Sequence, residues 1–242
     1  MSFSATTCNA IKSKALIETL FQNVCEWNLI IDNDEIKSFP ISSLSTEFYV
    51  NLPAGLFDEY SFTFPFKKSI ILERYILKAL KYVKNKTTVR FSMTQPYTFE
   101  VTITHLDNIN LTTIITTQDA QITEEKILYT PVTNPICVTG SKFNYICKAI
   151  KSSILVISKL NNQLILSSGI GGIIDEKIII GEYEQSLDIF YNDFESENFT
   201  RLGKLGSFVT QPIEIFAEAD KLIIGCKSNI GFVYIHIYKL IE

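Results

Sequence analysis

Residues 140–169, GSKFNYICKAIKSSILVISKLNNQLILSSG, decide the fold of this chain. Apolar side chains first recur with the period of a helix and then alternate along two short runs. Because helices and strands repeat every 3.6 and 2 residues, we predict a helix over 141–152 and strands over 153–160 and 163–169. A helix followed directly by an antiparallel strand pair is typical of α+β proteins.

The first half of the chain has the same order of elements as the second. In residues 1–117 and again in residues 135–242 we predict one strand, a helix, four strands, a helix and three strands. The helices are predicted at 9–24, 73–84, 141–152 and about 198–206. In the first half, the four strands between the helices are predicted at 27–32, 35–42, 47–52 and 60–66. Residues 118–134 (QDAQITEEKILYTPVTN) are polar and include a proline, which indicates an extended connector. The sequence therefore predicts an α+β protein of two similar domains.

The composition fits a folded chain in a reducing compartment. Hydrophobic residues make up 46% and charged residues 20%, which is enough apolar material for two packed cores. The start, Met1-Ser2-Phe3-Ser4, has no basic region before an apolar run, so we expect no signal peptide. The number of cysteines is odd and none form a Cys-x-x-Cys pair, which favours buried free thiols over disulfides or a zinc site. They are Cys8, Cys25, Cys137, Cys147 and Cys226.

Basic residues concentrate in the four predicted helices, although the whole chain has a net charge of −4. The helices hold eleven of the 22 lysines and arginines and, with Glu18 and Glu73, two of the 26 acids. Their net charge is therefore +9, against −13 for the remainder. The basic residues are Lys12, Lys14, Arg74, Lys78, Lys81, Lys84, Lys142, Lys148, Lys151, Arg201 and Lys204.

These basic residues lie opposite the apolar side of each helix. Lys78 and Lys81, for example, face away from Ile76, Leu80 and Val83. Lysines also decorate ordinary solvated helices, but there they alternate with glutamates that form i,i+4 pairs. Here those partners are missing, which favours binding to an external polyanion. The helices lack a pattern for reading base edges and clustered aromatics for stacking bases, so non-specific contact with duplex DNA is the prediction.

Four stretches carry a further signal: Glu26-Trp27-Asn28 after the first helix, Gly140-Ser141-Lys142-Phe143, ILVISKLNNQLILSSG (154–169) and GFVYIHIYKLIE (231–242). In this order along the chain, they resemble stretches of the proliferating cell nuclear antigen family of sliding clamps. The resemblance covers nearly the whole length. It implies two clamp domains, with sheets outside and two helices per domain lining an inner face.

The resemblance further implies a ring of three chains around duplex DNA, with subunits joined through residues 111–117 and 177–182. The expected partners are DNA polymerase, other proteins with clamp-binding peptides, and a clamp loader. The expected location is the nucleus or another intracellular site of DNA replication, including a viral replication compartment.

Family members receive partner peptides in a hydrophobic pocket beneath the connector. Carried over by position, the pocket here consists of Phe39, Leu44, Ile127, Leu128, Tyr129, His236 and Tyr238. This sequence departs from the family at Phe39, where a smaller side chain is usual, and at His236 and Tyr238, which replace a Tyr-x-Ala pattern. An alternative interpretation makes 127–129 an anchor that holds a loop against the sheet.

No enzyme signature stands out, so no catalytic residue, cofactor or metal is expected. His105 and His236 are far apart, each within a strand-like run. Two alternatives keep the clamp fold: a subunit of a heteromeric checkpoint or repair clamp, and a viral processivity or late-transcription factor that forms no trimer. A nuclease with basic helices would require carboxylates or histidines near them. A purely structural protein, such as a capsid component, would make the basic faces incidental.

Overall fold

A computed structural model of the chain describes residues 1–42, 45–120, 131–170, 173–186 and 189–240, with the backbone alone at 39–42, 169–170 and 173–175. The chain forms two compact units, which are described separately. Unit 1 comprises Met1–Ile41, Tyr49–Ile127 and Ser228–Phe232. Unit 2 comprises Ser42–Phe48, Leu128–Lys227 and Val233–Glu242.

Among the described residues up to 120 there are two α-helices, one 3₁₀ helix (Ala54–Leu56) and ten strands. The α-helices are α1 (Ala10–Asn23) and α2 (Ile76–Leu80). The strands are β1 (Phe3–Thr7), β2 (Glu26–Ile31), β3 (Glu35–Ser42), β4 (Thr46–Pro53), β5 (Glu59–Phe62), β6 (Lys68–Glu73), β7 (Thr88–Met93), β8 (Thr98–Thr104), β9 (Asn110–Thr116) and β10 (Gln118–Asp119).

Unit 1 contains an antiparallel sheet of order β5-β1-β7-β8-β9 and strands β10-β6-β2-β3 of a second sheet. The strands alternate because one face of each sheet is buried: in β8, Phe99, Val101 and Ile103 point into the core and their neighbours do not. Register across β7 and β8 pairs Phe91 with Val101. The core of unit 1 thus lies on one face of the β5-β1-β7-β8-β9 sheet.

The described residues between 131 and 240 form three helices and eight strands. The helices are α3 (Gly140–Ala149), α4 (Ser196–Thr200) and α5 (Leu205–Phe208). The strands are β11 (Ile136–Val138), β12 (Ile154–Leu160), β13 (Gln163–Ile170), β14 (Ile173–Ile180), β15 (Phe190–Glu195), β16 (Ile213–Glu218), β17 (Lys221–Ser228) and β18 (Gly231–Tyr238). Unit 2 has one sheet of order β14-β13-β12-β15 and another containing β18-β17-β16-β11.

Helix α1 forms because its fourteen residues contain no glycine or proline and place leucines on one side. The helical period places Ile11, Ile17, Leu20 and Phe21 on or near one face. The last three are buried, and so is Leu16, whereas Ile11 is 41% exposed. Burying each of these large side chains contributes roughly 1.5–3 kcal/mol. The helix is therefore held mainly by its packing against the core of unit 1.

The first half of the chain differs from the predicted order by one strand. The sequence predicts four strands between its helices, but the structure contains five, because Lys68–Glu73 forms β6 between β2 and β10. Ile70 and Leu72 are fully buried and Ile71 is half-buried, so the run has no clear alternation. In addition, Glu73 belongs to this strand and not to the helix that follows.

The helices after the first are shorter than predicted. Helix α2 covers five residues, and the flanking residues form tight i→i+3 turns, such as Leu77 N–H to the Arg74 carbonyl at 3.0 Å. Helix α3 ends at Ala149 because Ile150 is extended. The fourth predicted helix is two short helices, α4 and α5, joined by turns. In the described part of the chain, no helix is long and apolar enough to cross a membrane.

Candidate nucleic-acid interface

Unit 1 presents its cations on α1 and on the turns around α2, two elements that contact each other. Lys78, Lys81 and Lys84 are exposed and Lys14 is half-exposed. Within the described residues, none of these four ammonium groups forms an ion pair or a hydrogen bond. The buried side of α2 is formed by Ile76 and Leu80, as predicted. The four lysines therefore point away from the core of unit 1.

Two other predicted DNA-facing residues of unit 1 have structural contacts. The Arg74 guanidinium donates from Nε (3.1 Å) and Nη2 (2.7 Å) to the carbonyl oxygen of Phe21. That carbonyl is among the last four of α1, which lack intrahelical donors, so Arg74 caps the helix. Lys12 Nζ donates to Asn229 Oδ1 at 2.6 Å, and burial lowers the pKa of this ammonium. Both side chains thus stabilise the fold through these hydrogen bonds and are only partly available to DNA.

In unit 2 the basic face begins with a capped helix. Thr139 precedes α3 in extended conformation, and its hydroxyl accepts from the backbone N–H of Lys142 at 3.5 Å. Phe143 and Ile146 are buried, whereas Lys142, Lys148 and Lys151 are exposed. Within the described residues these three lysines have no ion pair.

The remaining two cations of unit 2 lie around α4 and α5. Arg201 Nη2 pairs with Glu197, one helical turn earlier. Lys204 is exposed and directly precedes α5. Arg201 therefore has an acidic partner that the sequence interpretation did not assign to a helix.

The acid-poor character of the helices survives these corrections. Glu73 leaves the helical segments for β6, and Glu197 joins them in α4. The helices and their flanking turns still hold eleven cations and two acids, Glu18 and Glu197. A polyanion approaching these faces would meet a net positive charge, although Glu26 and Glu73 line one pocket together with Tyr75 and Lys78 beside α2.

The sequence interpretation missed the aromatic side chains on these faces. Tyr75 and Tyr82 flank α2 with exposures of 57% and 47%, and Tyr145 on α3 is 73% exposed. The spacing in the sequence could have identified them. Tyr75 is three residues before Lys78 and Tyr145 is three residues before Lys148, so each tyrosine is next to a lysine on the helix surface. The expectation that no aromatics cluster on the basic faces was wrong.

Most of the predicted partner pocket lies outside the described residues: Leu44, Ile127, Leu128 and Tyr129, and the side chain of Phe39. His236 and Tyr238, both on β18 in unit 2, are described. The Tyr238 hydroxyl donates to Glu47 Oε2 at 2.9 Å, and Lys221 Nζ lies 5.8 Å from the Tyr238 ring centre. Burial and the Lys221 ammonium lower the pKa of His236 to about 4, so the imidazole is neutral at pH 7.

The strands that the resemblance assigns to subunit contacts each lie at the edge of a sheet. Strand β9 ends the five-stranded sheet of unit 1, and β14 ends the four-stranded sheet of unit 2. Both expose large apolar side chains: Ile114 on β9 is 67% exposed and Ile179 on β14 is 52% exposed. Such edges leave backbone donors and acceptors unpaired, and apolar examples favour association.

The cysteines are free, but only Cys147 and Cys226 are buried; Cys8, Cys25 and Cys137 are exposed, contrary to the expectation of buried thiols. Burial raises the pKa of Cys147 to about 12 and raises that of Cys226 further above its usual range. Among the described residues, no three His, Cys, Asp or Glu side chains converge as metal ligands.

Comparison with known proteins gives different results for sequence and structure. No family model matches the sequence. A 71-residue stretch, 29% of this chain, is 32% identical to 5'-methylthioadenosine/S-adenosylhomocysteine nucleosidase from Staphylococcus haemolyticus, and it spans only 30% of that protein. A local match of this size indicates neither the fold nor the activity of the whole chain.

The structural likeness covers the whole chain. The PCNA2–PCNA3 complex from Sulfolobus tokodaii matches with a TM-score of 0.83 at 16% identity, over 99% of this chain and 100% of that one. Proliferating cellular nuclear antigen from Entamoeba histolytica gives 0.82 at 13% identity, over 99% of each chain. PCNA from Thermococcus kodakaraensis gives 0.83 at 18% identity, over 98% of this chain and 100% of that one. The predicted fold class is thereby confirmed: this chain has the two-domain α+β fold of the proliferating cell nuclear antigen clamps, as a divergent example.

Proposed function

We propose that this chain is a non-enzymatic DNA sliding-clamp subunit that holds duplex DNA through its basic helices and tethers DNA polymerase and other proteins to it. The observation that carries the proposal is the distribution of charge on a clamp fold. Seven lysines on the helical faces have no ion pair among the described residues. They are Lys14, Lys78, Lys81, Lys84, Lys142, Lys148 and Lys151.

Phosphate contacts by such lysines position a protein on DNA without reading its sequence. They also make binding strongly dependent on salt, since each neutralised phosphate releases counterions. A clamp must slide, so contacts that are independent of sequence suit this role. The proposed inner face therefore requires no base-specific side chains.

We further propose that three copies close into a ring by pairing β9 of one copy with β14 of the next. The exposed Ile114 and Ile179 support this arrangement, because pairing would cover them and satisfy both open edges. Closure would turn a modest affinity for phosphates into lasting retention, because DNA threaded through a ring cannot dissociate sideways.

Partner peptides are proposed to bind near β18. His236 and Tyr238 supply a neutral imidazole and an aromatic ring at this place. Because the Tyr238 hydroxyl is bonded to Glu47, we propose that peptides accepted here differ from those of clamps with a Tyr-x-Ala pattern.

A second candidate assembly is a heteromeric ring in which this chain supplies one subunit. One of the similar structures is a complex of two different PCNAs, PCNA2 and PCNA3 from Sulfolobus tokodaii, which favours this alternative. The edges β9 and β14 would then pair with the corresponding strands of other chains.

Two measurements test the proposed function. Fluorescence anisotropy of a labelled duplex, over a salt series, should show binding whose affinity falls steeply with salt and is independent of sequence. Light scattering over a range of protein concentrations should give a mass near three chains. A monomer that still binds duplex DNA would exclude the homotrimer and favour the heteromeric or non-ring assembly. A protein that binds no duplex at low salt would refute the DNA role.

A further inference from the structure

Two exposed tyrosines and two lysines form one stripe along α2 and its flanking turns in unit 1. Tyr75 and Tyr82 are seven residues apart, about two helical turns, and both are exposed. The caps Tyr75 and Lys81 have right-handed helical backbone angles, and i→i+3 hydrogen bonds flank α2 at both ends. Lys78 lies between the two tyrosines in the sequence.

The lysines lie close to the tyrosine rings. Lys78 Nζ is 4.9 Å from the ring centre of Tyr75, and Lys81 Nζ is 5.6 Å from that of Tyr82. Both distances are within the range of cation–π attraction. A phosphate bound by either ammonium would therefore have an aromatic ring beside it.

The fold makes little use of these rings. Elsewhere, tyrosines fix the structure through their hydroxyls: Tyr60 donates to the Asp32 carbonyl at 2.6 Å, and Tyr238 donates to Glu47. Within the described residues, the hydroxyls of Tyr75, Tyr82 and Tyr145 form no hydrogen bond. The Tyr75 and Tyr82 rings contact neighbouring lysines, but about half or more of each of the three tyrosines remains exposed and available to an external partner.

Helix α3 in unit 2 carries the same combination. Tyr145 is 73% exposed and lies three residues from Lys142 and three from Lys148, on the side away from Phe143 and Ile146. Each unit thus presents exposed aromatic rings among lysines.

We propose that these tyrosines stack the bases of single-stranded DNA while the neighbouring lysines hold its phosphates. Stacking needs an exposed base face, which a duplex interior does not offer, whereas phosphate contact requires lysine alone. Charge complementarity selects a polyanion, and the rings select one with unstacked bases. This inference rests on the proposed role in DNA binding and extends it to unpaired strands.

The test separates stacking from charge by comparing three ligands by anisotropy. They are an oligothymidylate of about 30 nucleotides, an abasic oligomer with the same number of phosphates, and a duplex of that length. We expect the protein to bind oligothymidylate at least about fivefold more tightly than the abasic oligomer, the lower end for one stacked base.

Substitutions assign the preference to the rings. In the triple variant Tyr75→Ala, Tyr82→Ala, Tyr145→Ala, the affinity for oligothymidylate should fall to that for the abasic oligomer. The matching triple phenylalanine variant keeps the rings and should retain the preference. Tyr97→Ala and Tyr191→Ala serve as controls, since Tyr97 is 52% and Tyr191 67% exposed and both lie off the helices. Lys68 Nζ lies 5.4 Å from the Tyr97 ring centre, so that control also matches the cation–π geometry.

Each remaining outcome has one meaning. Equal affinity for oligothymidylate and the abasic oligomer, with duplex binding intact, would overturn the stacking proposal and leave the proposed function standing. A protein that binds none of the three ligands would overturn both. Loss of the preference in the Tyr97 or Tyr191 variant would show that the helical tyrosines do not cause it. Tighter binding of a fourth ligand, oligouridylate of the same length, than of oligothymidylate would overturn the assignment to DNA.

Discussion

Gly140 and Gly206 touch backbone to backbone where α3 and α5 meet in unit 2. A Cβ on Gly140 would lie 2.6 Å from the Gly206 carbonyl oxygen, and a Cβ on Gly206 would overlap the carbonyl oxygen of Gly140. Both obstacles are backbone atoms, which cannot rotate away as a side chain can. This contact fixes how the basic helix α3 is seated beside the segment that carries Lys204.

We expect Gly206→Ala to destabilise unit 2, because the helices must separate to admit the methyl group. Overpacking of this kind costs about 1–3 kcal/mol in the free energy of unfolding. Urea denaturation followed by circular dichroism measures it. Gly55→Ala is the matched control, since no atom lies within 4 Å of the added Cβ, and its stability should stay near that of the parent. Equal stability of the two variants would contradict the tight contact.

Reversal of Lys78, Lys81 and Lys148 to glutamate should strongly weaken duplex binding and abolish polymerase stimulation without unfolding the protein. All three ammonium groups are exposed, so their loss leaves the core unchanged. The slope of log affinity against log salt concentration should become shallower by about three, close to one for each phosphate contact that is lost.

The control for these reversals keeps the same change in net charge. Lys37, Lys67 and Lys239 lie on or beside strands, and reversing them should leave most of the duplex affinity. Unchanged polymerase stimulation by the folded Lys78, Lys81, Lys148 variant would refute the assignment of DNA contacts to the helices.

Placing a charge on a sheet edge should prevent self-association. We expect Ile114→Lys to shift the mass in solution from a multimer to a monomer, because a lysine would have to be buried between paired edges. Ile154→Lys is the control: Ile154 is 47% exposed but lies on β12, which has a strand on each side. Light scattering distinguishes them, and a multimer that survives Ile114→Lys would place the contact elsewhere.

Thiol reagents should modify three cysteines per native chain and five per unfolded chain. Cys147 and Cys226 are buried and stay protonated, because burial raises the pKa of both. Among the exposed thiols, Cys8 should react most slowly near neutral pH, since its hydrogen bond to Asp58 and partial burial raise its pKa. Mass spectrometry after timed alkylation checks the order. Rapid modification of Cys226 in the native protein would contradict its burial.

His236 should make the protein less stable as the pH falls from about 6.5 to about 4. In this window the unfolded chain binds a proton on the imidazole and the folded chain does not, so protonation favours unfolding. Below about pH 4 both states are protonated and this contribution levels off. The measurement is the free energy of unfolding against pH for the parent, His236→Phe and His236→Gln. A parent curve parallel to both variants would show that the pKa of His236 is not lowered.

The sequence by itself determined the class of fold, because its strongest signal is local. The periodicity of the apolar residues predicts α1, α3 and most strands. The burial of Phe143, Ile146 and Ile150 follows directly from it. The segregation of lysines to helices is likewise a property of the sequence, since i, i+3 and i+4 spacing places them opposite the core.

Only the tertiary structure decided the details that involve distant residues. Strand β6 forms because it pairs with β2 on one side and with β10 on the other. Its irregular apolar run does not predict this pairing. Arg74 looks like a free cation in the sequence, yet it caps α1 at Phe21, 53 positions away. The contact between Gly140 and Gly206 likewise joins residues that no local period relates. Local spacing reports which side of an element is apolar, whereas a side chain's partner depends on chain segments brought together by folding.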